Sequence, residues 1–188
     1  MHSLDAVFKE LLEKIRSPEF LNPAKSDPVF YLSYPPGLML EVKKSIPRWM
    51  TNIRDAGFQV RRVSLADILW EVVDESGRWE SWIELEGEAE MEQLNDAVRD
   101  VLRSGNAFVE TVARAVESTP EGTVILLTEA ELLHPWFRTR AIESRLHDRV
   151  KTPTVIFYPG ERSGQYGLKF LGFYPLDGNY RSTLTGGI

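Results

Sequence analysis

The sequence contains no cysteine. This absence excludes a disulfide framework, a thiolate zinc site, an iron–sulfur cluster and a cysteine nucleophile. Long apolar runs are also missing, since the uninterrupted ones, such as residues 124–127, span only a few positions. A membrane helix needs about 20 such residues, and the N-terminus shows no apolar segment of the kind found in secretory signals. We therefore expect no membrane association and a cytoplasmic location.

A phosphate-binding loop is missing as well. Such a loop needs several glycines and a Lys-Ser or Lys-Thr pair after a buried strand, so that backbone N–H groups can surround the phosphate. The apolar run at residues 29–32 is followed instead by Pro35 and Pro36, which remove two backbone donors. Lys44 and Ser45 come later without preceding glycines. The sequence therefore predicts neither an intact loop nor a cofactor.

Histidine is scarce, with only His2, His134 and His147. None of them has the spacing of a metal-binding pair on one helix face. A general base needs a positioned nucleophile or substrate, and none is recognisable near His134. The sequence predicts no catalytic residues, no metal site and no enzymatic activity.

The 188 residues suit one domain, residues 1–188, and the 43% hydrophobic and 27% charged residues are typical of a folded protein. Apolar spacing predicts an N-terminal helix at residues 4–16. Three apolar runs, at residues 29–32, 124–128 and 154–158, have the pattern of strands buried on both faces. Because strands alternate with helices, we predict an α/β fold with three layers, αβα, around a mostly parallel sheet.

Several boundaries are predicted from local signals. Pro47 predicts a kink or two short helices within residues 38–56. Residues 79–104 are predicted to form one long helix with Met91 on its buried face, and residues 137–149 to form another helix. Pro159 and Gly160 should end the last apolar strand. A hairpin or edge strand is expected near residues 168–174, before a polar tail.

The net charge of −6 is concentrated in residues 79–103, which hold eight acidic residues and two basic ones. On a helix these carboxylates point in many directions, so they do not build one metal coordination sphere, and we interpret them as a solvated face. Trp79 and Trp82 lie beside this run, either to fix a helix N-terminus or to form a contact surface.

A possible interaction surface follows from two further groups of residues. The first is the arginine set Arg138, Arg140, Arg145 and Arg149, and the second is Tyr158, Gly160, Gly164 and Gly167. The arginines could bind phosphate or an acidic partner, could form a solvated helix face, or could pair with the acidic helix of the same chain. The glycines indicate a hairpin connection or a partner-binding or ligand-gating loop.

The C-terminal third resembles the BrxB family of the BREX bacteriophage-exclusion systems. The resemblance is carried by an apolar strand and four segments in order: RAIESRL at 140–146, PTVIFYPG at 153–160, GQYGLKFLG at 164–172 and NYR at 179–181. Before that, element order and length agree. The tail departs from the family by ending soon after Arg181.

The resemblance implies a small accessory component of phage defence, encoded beside a large ATPase, a DNA methyltransferase and a phosphatase-like PglZ protein. It also implies a core similar to that of P-loop NTPases without the phosphate-binding loop, and it supplies no catalytic residues. We expect a non-catalytic adaptor that contacts the large ATPase or the PglZ-like protein. The alternatives are a degenerate domain that senses a nucleotide or phosphate through Arg138 or Arg140, and a subunit that touches nucleic acid through its basic helix. The negative charge argues against direct nucleic-acid binding.

Overall fold

The computed structural model describes residues 3–19, 27–163, 167–177 and 182–186. The helices are α1 (Leu4–Arg16), α2 (Met39–Asp55), α3 (Leu65–Glu75), α4 (Trp79–Leu85), α5 (Met91–Arg103), α6 (Ala107–Glu117) and α7 (Thr139–Leu146). The strands are β1 (Val29–Tyr34), β2 (Gln59–Ser64), β3 (Thr123–Thr128), β4 (Thr154–Ser163), β5 (Gly167–Phe170), β6 (Leu176–Asp177) and β7 (Thr183–Gly186). Short 3₁₀ helices occupy Pro36–Leu38, Ser104–Asn106 and Ala130–Leu133.

Five of the strands form a parallel sheet in the order β2-β3-β4-β1-β7. In this sheet Leu32 of β1 aligns with Phe157 of β4 on one side and with Thr185 of β7 on the other. β1 and β3 are buried along their whole length, which is why their sequences are apolar on both faces. β5 and β6 extend antiparallel from the second half of β4.

Helices cover both faces of this sheet. On one face α1 and α2 enclose Phe30, Leu32 and Phe157, with Trp49 of α2 at the centre. On the other face α3, α5, α6 and α7 pack over Tyr31, Ile125 and Ile156, among others. The predicted three-layer arrangement around a mostly parallel sheet is confirmed. Among the described residues, no helix combines the length and the apolar character that crossing a membrane requires.

Two helix starts follow the capping chemistry of their sequences. The Ser3 hydroxyl accepts a hydrogen bond from the Ala6 N–H at 3.2 Å, and α1 then covers the predicted range. The Ser64 hydroxyl accepts from the Asp67 N–H at 3.0 Å and begins α3. Each cap satisfies a backbone donor that the first helical turn leaves without an intrahelical partner.

The prediction of one long helix over residues 79–104 is wrong, because the segment divides into α4 and α5. A capping box begins the second helix: the Glu90 side chain accepts from the Gln93 N–H, and Gln93 Oε1 accepts from the Glu90 N–H at 3.0 Å. This local exchange satisfies two backbone donors at a new helix start. Met91, expected to be buried, is 71% exposed at the start of α5.

The other two helix predictions need smaller corrections. α2 continues through Pro47 as one helix, so of the two alternatives predicted there the two short helices are wrong. Pro47 lies on the exposed side of α2, where water can bind the carbonyl that its missing N–H leaves free. The helix predicted over residues 137–149 is shorter, since α7 ends at Leu146 and Asp148 has a φ of 60°, which lies outside the right-handed helical region.

The C-terminal region differs most from prediction. β4 does not end at Pro159 and Gly160 but continues to Ser163, leaving the parallel sheet to pair with β5. Pro159 is the last residue aligned with β1, so its missing N–H marks the point where the parallel pairing stops. The expected hairpin is present but β5 ends at Phe170, and the polar tail contains β7, a parallel edge strand that was not predicted.

Candidate functional site

In open α/β sheets, ligands bind beyond the carboxyl ends of the strands. At this edge, β1 runs into the 3₁₀ helix Pro36–Leu38, whose N-terminus consists of two prolines. The N–H groups that would surround a phosphate are therefore missing at two consecutive positions.

Glu129 follows β3 at the same edge and has a left-handed backbone, with a φ of 66°. Its carboxylate accepts a hydrogen bond from the Ser64 hydroxyl at 2.6 Å and lies 3.3 Å from Arg62 Nη2. Lys43 Nζ approaches it from α2 at 3.8 Å. A bulky residue in the left-handed region is unfavourable, and these three contacts hold Glu129 there.

Glu131 is the second acid at this edge, and its side chain is only 10% exposed. Its carboxylate lies 2.7 Å from Lys43 Nζ, which compensates its buried charge. The pKa of the neighbouring Tyr34 hydroxyl is raised, first by burial and second by the negative charge of Glu131. Tyr34 therefore stays protonated at neutral pH. Both carboxylates pair with cations of the chain, while neither buried oxygen of Glu131 accepts a hydrogen bond from the described residues.

The β5–β6 segment packs beside the same edge. The Leu171 N–H donates to the Pro159 carbonyl at 2.8 Å, and a methyl group on Gly172 would lie 3.9 Å from Pro36 Cγ. Tyr174, further along, is hydrogen-bonded to His134. The segment between β5 and β6 therefore lies beside the loop that follows β1.

Arg145 and Arg149 of the predicted arginine set both bind acids of α6. Arg145 pairs with Glu110. Arg149 donates to Glu110 at 3.1 Å and to both carboxylate oxygens of Glu117, at 2.7 and 2.9 Å. Hydrogen bonding from Arg149 lowers the pKa of Glu117, and the same contact raises the pKa of Arg149. These arginines connect the end of α7 to α6, not to the acidic run after Trp79.

Arg138 and Arg140 lie elsewhere, at the start of α7. The Arg138 guanidinium sits 3.5 Å from the centre of the Tyr174 ring, a cation–π contact. Arg140 pairs with Asp177 of β6. The four arginines therefore divide into two pairs, one at α6 and one at the β5–β6 segment.

Two cavities lie beside Arg138. One, of about 400 Å³, is lined by the guanidinium-bearing residues Arg99, Arg103 and Arg138 together with Trp136. The other, of about 300 Å³, is lined by Arg138, Tyr158, Phe170 and Tyr174, among others. The first has the charge expected of a site for an anion.

The second predicted group occupies the β4–β5 hairpin. A Cβ at Gly160 would collide with the Lys169 carbonyl, and one at Gly167 would lie 2.6 Å from the Ser163 carbonyl. Both glycines therefore allow the two strands to pair closely. Tyr158 is buried and packs edge-on against Tyr31 at 5.6 Å. Gly164 lies outside the described residues.

The described histidines are His134 and His147. The pKa of His134 is lowered, mainly by burial and also by the charge of Arg138. His147 lies between Asp27 and Asp148, and the ligand atoms of these three residues are within 4.8 Å of one another. This group is the one in the described part of the chain that could meet a metal ion. It lies largely exposed, without an enclosing coordination sphere, so we assign no metal to it.

Four tryptophans form a continuous chain of ring contacts, which we call the tryptophan ridge: Trp70, Trp79, Trp82 and Trp136. Trp70 stacks on Trp79 at 5.8 Å and meets Trp136 edge-on at 6.0 Å, while Trp79 meets Trp82 at 5.8 Å. The sequence singled out Trp79 and Trp82, which lie three residues apart. It missed Trp70 and Trp136, since no local spacing connects residues that far apart.

The ridge is open to solvent along α4. Trp70 is 41% and Trp79 39% exposed, and the next turn of α4 adds Ile83 at 65%. α4 buries none of its residues. Large apolar side chains at this exposure, grouped together, are typical of contact surfaces.

Comparison with known proteins gives the family. The model of the family described as BREX protein BrxB matches residues 61–184, which include the tryptophan ridge and the four arginines. A BREX protein BrxB from Bacillus cereus (strain H3081.97) is 25% identical over 171 residues, which cover 87% of this chain and 88% of that protein. No solved structure matches the chain.

Proposed function

Because the chain belongs to the BREX protein BrxB family, we propose that it is a non-catalytic accessory component of a BREX phage-defence system. It acts through contacts with other BREX proteins, such as the large ATPase or the PglZ-like protein. The observation that carries the proposal is that prolines, internal ion pairs and the β5–β6 segment occupy the carboxyl edge after β1 and β3, where ligands bind in this fold class.

Three features occupy that edge, and each comes from a different part of the chain. Pro35 and Pro36 remove backbone donors after β1. Lys43 and Arg62 bind the carboxylates that follow β3. The segment between β5 and β6 then lies beside the loop after β1 at Gly172 and Pro36. Together they support a core of the P-loop type that has lost its phosphate site and serves as a scaffold for protein contacts.

Co-purification tests this proposal. The chain, carrying an affinity tag, is co-expressed with the large ATPase and the PglZ-like protein of its own BREX system and then passed through gel filtration. We expect at least one of them to co-elute with the chain. A tagged, unrelated protein of similar size and net charge is the control for nonspecific ionic retention. Elution of the chain alone, at the same position as without the other two proteins, would refute the proposal.

The cavity of about 400 Å³ favours a second candidate, a domain that senses an anionic ligand. Arg103 lines it and makes no ion pair within the described residues, so its charge is available to a phosphate. Thermal unfolding with a panel of nucleotides and inorganic phosphate tests this. A ligand at 100 times its Kd adds about 2.7 kcal/mol to stability. The shift should vanish in Arg103→Ser, and no shift with any member of the panel rejects this candidate.

A further inference from the structure

α4 is a short helix without a core of its own. Its seven residues include no buried side chain, and an isolated helix of that length is marginal in water. It is held by the Trp79 indole, which donates to Asp74 at 2.6 Å, and by the ring contacts of the tryptophan ridge. Trp79, Trp82 and Ile83 have the i, i+3, i+4 spacing of one helix face. Trp79 is 39% and Ile83 65% exposed on that face, so a large part of its apolar surface is in contact with solvent.

The surroundings of this face are strongly acidic. Residues 70–92 contain nine acidic residues and a single basic one, Arg78. All of residues 70–92 are described, and the one ion pair their acids make there is between Glu92 and Arg99, at 3.7 Å. Arg140 and Arg145 of α7 and Arg149 after it, by contrast, bind acids of β6 and α6. We call these nine acidic residues the acidic margin. Among the described residues, the fold leaves the negative charge of all but Glu92 without an ion pair.

We infer that the tryptophan ridge and its acidic margin form a docking surface for a protein partner that presents apolar side chains flanked by lysine and arginine. This inference rests on the proposed function, since it names the surface and the chemistry of one contact within the assembly. Aromatic side chains supply much of the binding energy of protein interfaces, and complementary charge at the margin fixes orientation and speeds association.

The same charges argue against two other occupants. A second copy placed ridge to ridge would bring two acidic margins together, and like charges facing each other are unfavourable. Nucleic acid carries one phosphate charge per nucleotide and is repelled by such a margin. A protein surface with apolar side chains and basic residues around them complements both the exposed tryptophan ridge and its acidic margin.

A peptide titration tests the chemistry directly. The probe is a designed helical peptide with leucines on one face and lysines on the other. Its matched controls carry glutamate in place of lysine, or serine in place of leucine. Because four of the five tryptophans lie in the ridge, tryptophan emission reports binding there. We expect the leucine–lysine peptide to bind at least about tenfold more tightly than either control. Equal response to all three peptides, or to none, would overturn the inference.

Matched surface variants then locate the contact. Ile83→Ser removes a 65% exposed apolar side chain from α4, and Leu40→Ser removes a 71% exposed one from α2. Glu84→Lys with Glu88→Lys reverses charge in the acidic margin, and Glu13→Lys with Glu41→Lys does the same on α1 and α2. We expect only Ile83→Ser and the double variant Glu84→Lys with Glu88→Lys to weaken peptide binding, by about tenfold. Equal effects in both sets would exclude the ridge as the site.

The co-purification experiment separates this inference from the proposed function. Loss of the BREX partner in Ile83→Ser, with retention in Leu40→Ser, would support both. Retention of the partner in every variant leaves the accessory role intact and places its contact elsewhere, which refutes the ridge. Absence of any partner with the unaltered chain refutes the accessory role, while the peptide titration still decides whether the ridge binds basic apolar surfaces.

Discussion

The two faces of the sheet use tryptophan in opposite ways. On the face covered by α1 and α2, Trp49 of α2 is fully buried. Its ring centre lies 4.7 Å from that of Phe8, on which it stacks, and 6.0 Å from that of Phe157. On the face covered by α3 to α7, Trp70 of α3 is 41% exposed. Its ring contacts Trp79 and Trp136 near the surface. Tryptophan thus lies at the centre of one helical layer and at the outer surface of the other.

The two positions give tryptophan different roles, one in the stability of the fold and the other in binding a partner. A buried indole contributes through the apolar area it removes from water and the cavity it fills. A half-exposed indole contributes less to folding, and its remaining area is available to a partner. α2 on the first face buries its tryptophan completely, whereas α4 on the second face buries none of its residues.

The largest expected effect comes from removing the buried indole. Trp49→Ala should lower the free energy of unfolding by about 3–5 kcal/mol, because a large cavity opens between α1 and α2. Trp70→Ala should lower it by only about 1–2 kcal/mol, because this half-exposed ring loses two aromatic contacts. Urea unfolding followed by circular dichroism measures both. Similar losses in the two variants would show that the ridge is part of the core.

A smaller effect is expected from the acid that each indole binds. Asp5 accepts from Trp49 Nε1 at 3.0 Å, and Asp74 accepts from Trp79 Nε1 at 2.6 Å. Asp5→Ala leaves the N–H of a buried indole without a partner, which should cost about 1–2 kcal/mol. Asp74→Ala should cost less, since water can replace the carboxylate at an exposed indole. The same unfolding experiment compares them, and a greater loss in Asp74→Ala would contradict the contrast between the faces.

The smallest effect concerns the exposed ion pair between Glu117 of α6 and Arg149, which follows α7. Because Arg149 lowers the pKa of Glu117, the ionised acid favours the folded state. That stability is present above the ordinary glutamate pKa of 4.5 and is lost as the pH falls through the lower value of the folded state. In urea unfolding between about pH 7 and about pH 3, Arg149→Gln should lose part of this pH dependence. The control Arg54→Gln, on α2, should keep it, and equal curves for both variants would disprove the coupling.

The buried strands could be predicted because their signal is local. β1, β3 and the first half of β4 have continuous apolar runs, and only a strand enclosed on both faces needs such a run at that length. β7 has no such signal, since its sequence is Thr-Leu-Thr-Gly. It is held by partners distant in sequence: the Ser33 hydroxyl donates to the Thr185 carbonyl at 3.1 Å, and Lys14 Nζ donates to the Thr185 hydroxyl at 3.1 Å.

The candidate surfaces were predicted only in part for the same reason. The acidic run and the pair Trp79 and Trp82 stand out by composition and spacing. Trp70 and Trp136 join them only after α3 and the loop before α7 pack side by side. Nor could the sequence assign the ion-pair partners of Arg145 and Arg149, since Glu110 and Glu117 are two acids among 28 acidic residues in the chain.

The position of β1 in the sheet has a consequence for how the protein is made. Both neighbours of β1, β4 and β7, come more than a hundred residues later in the chain. During synthesis on the ribosome, α1, β1 and α2 therefore emerge long before any strand that could pair with β1. An apolar strand with two open edges is prone to aggregation while it waits. Early burial of Trp49 between α1 and α2 would shield the Phe30 and Leu32 side chains of β1 until β4 and β7 are synthesised.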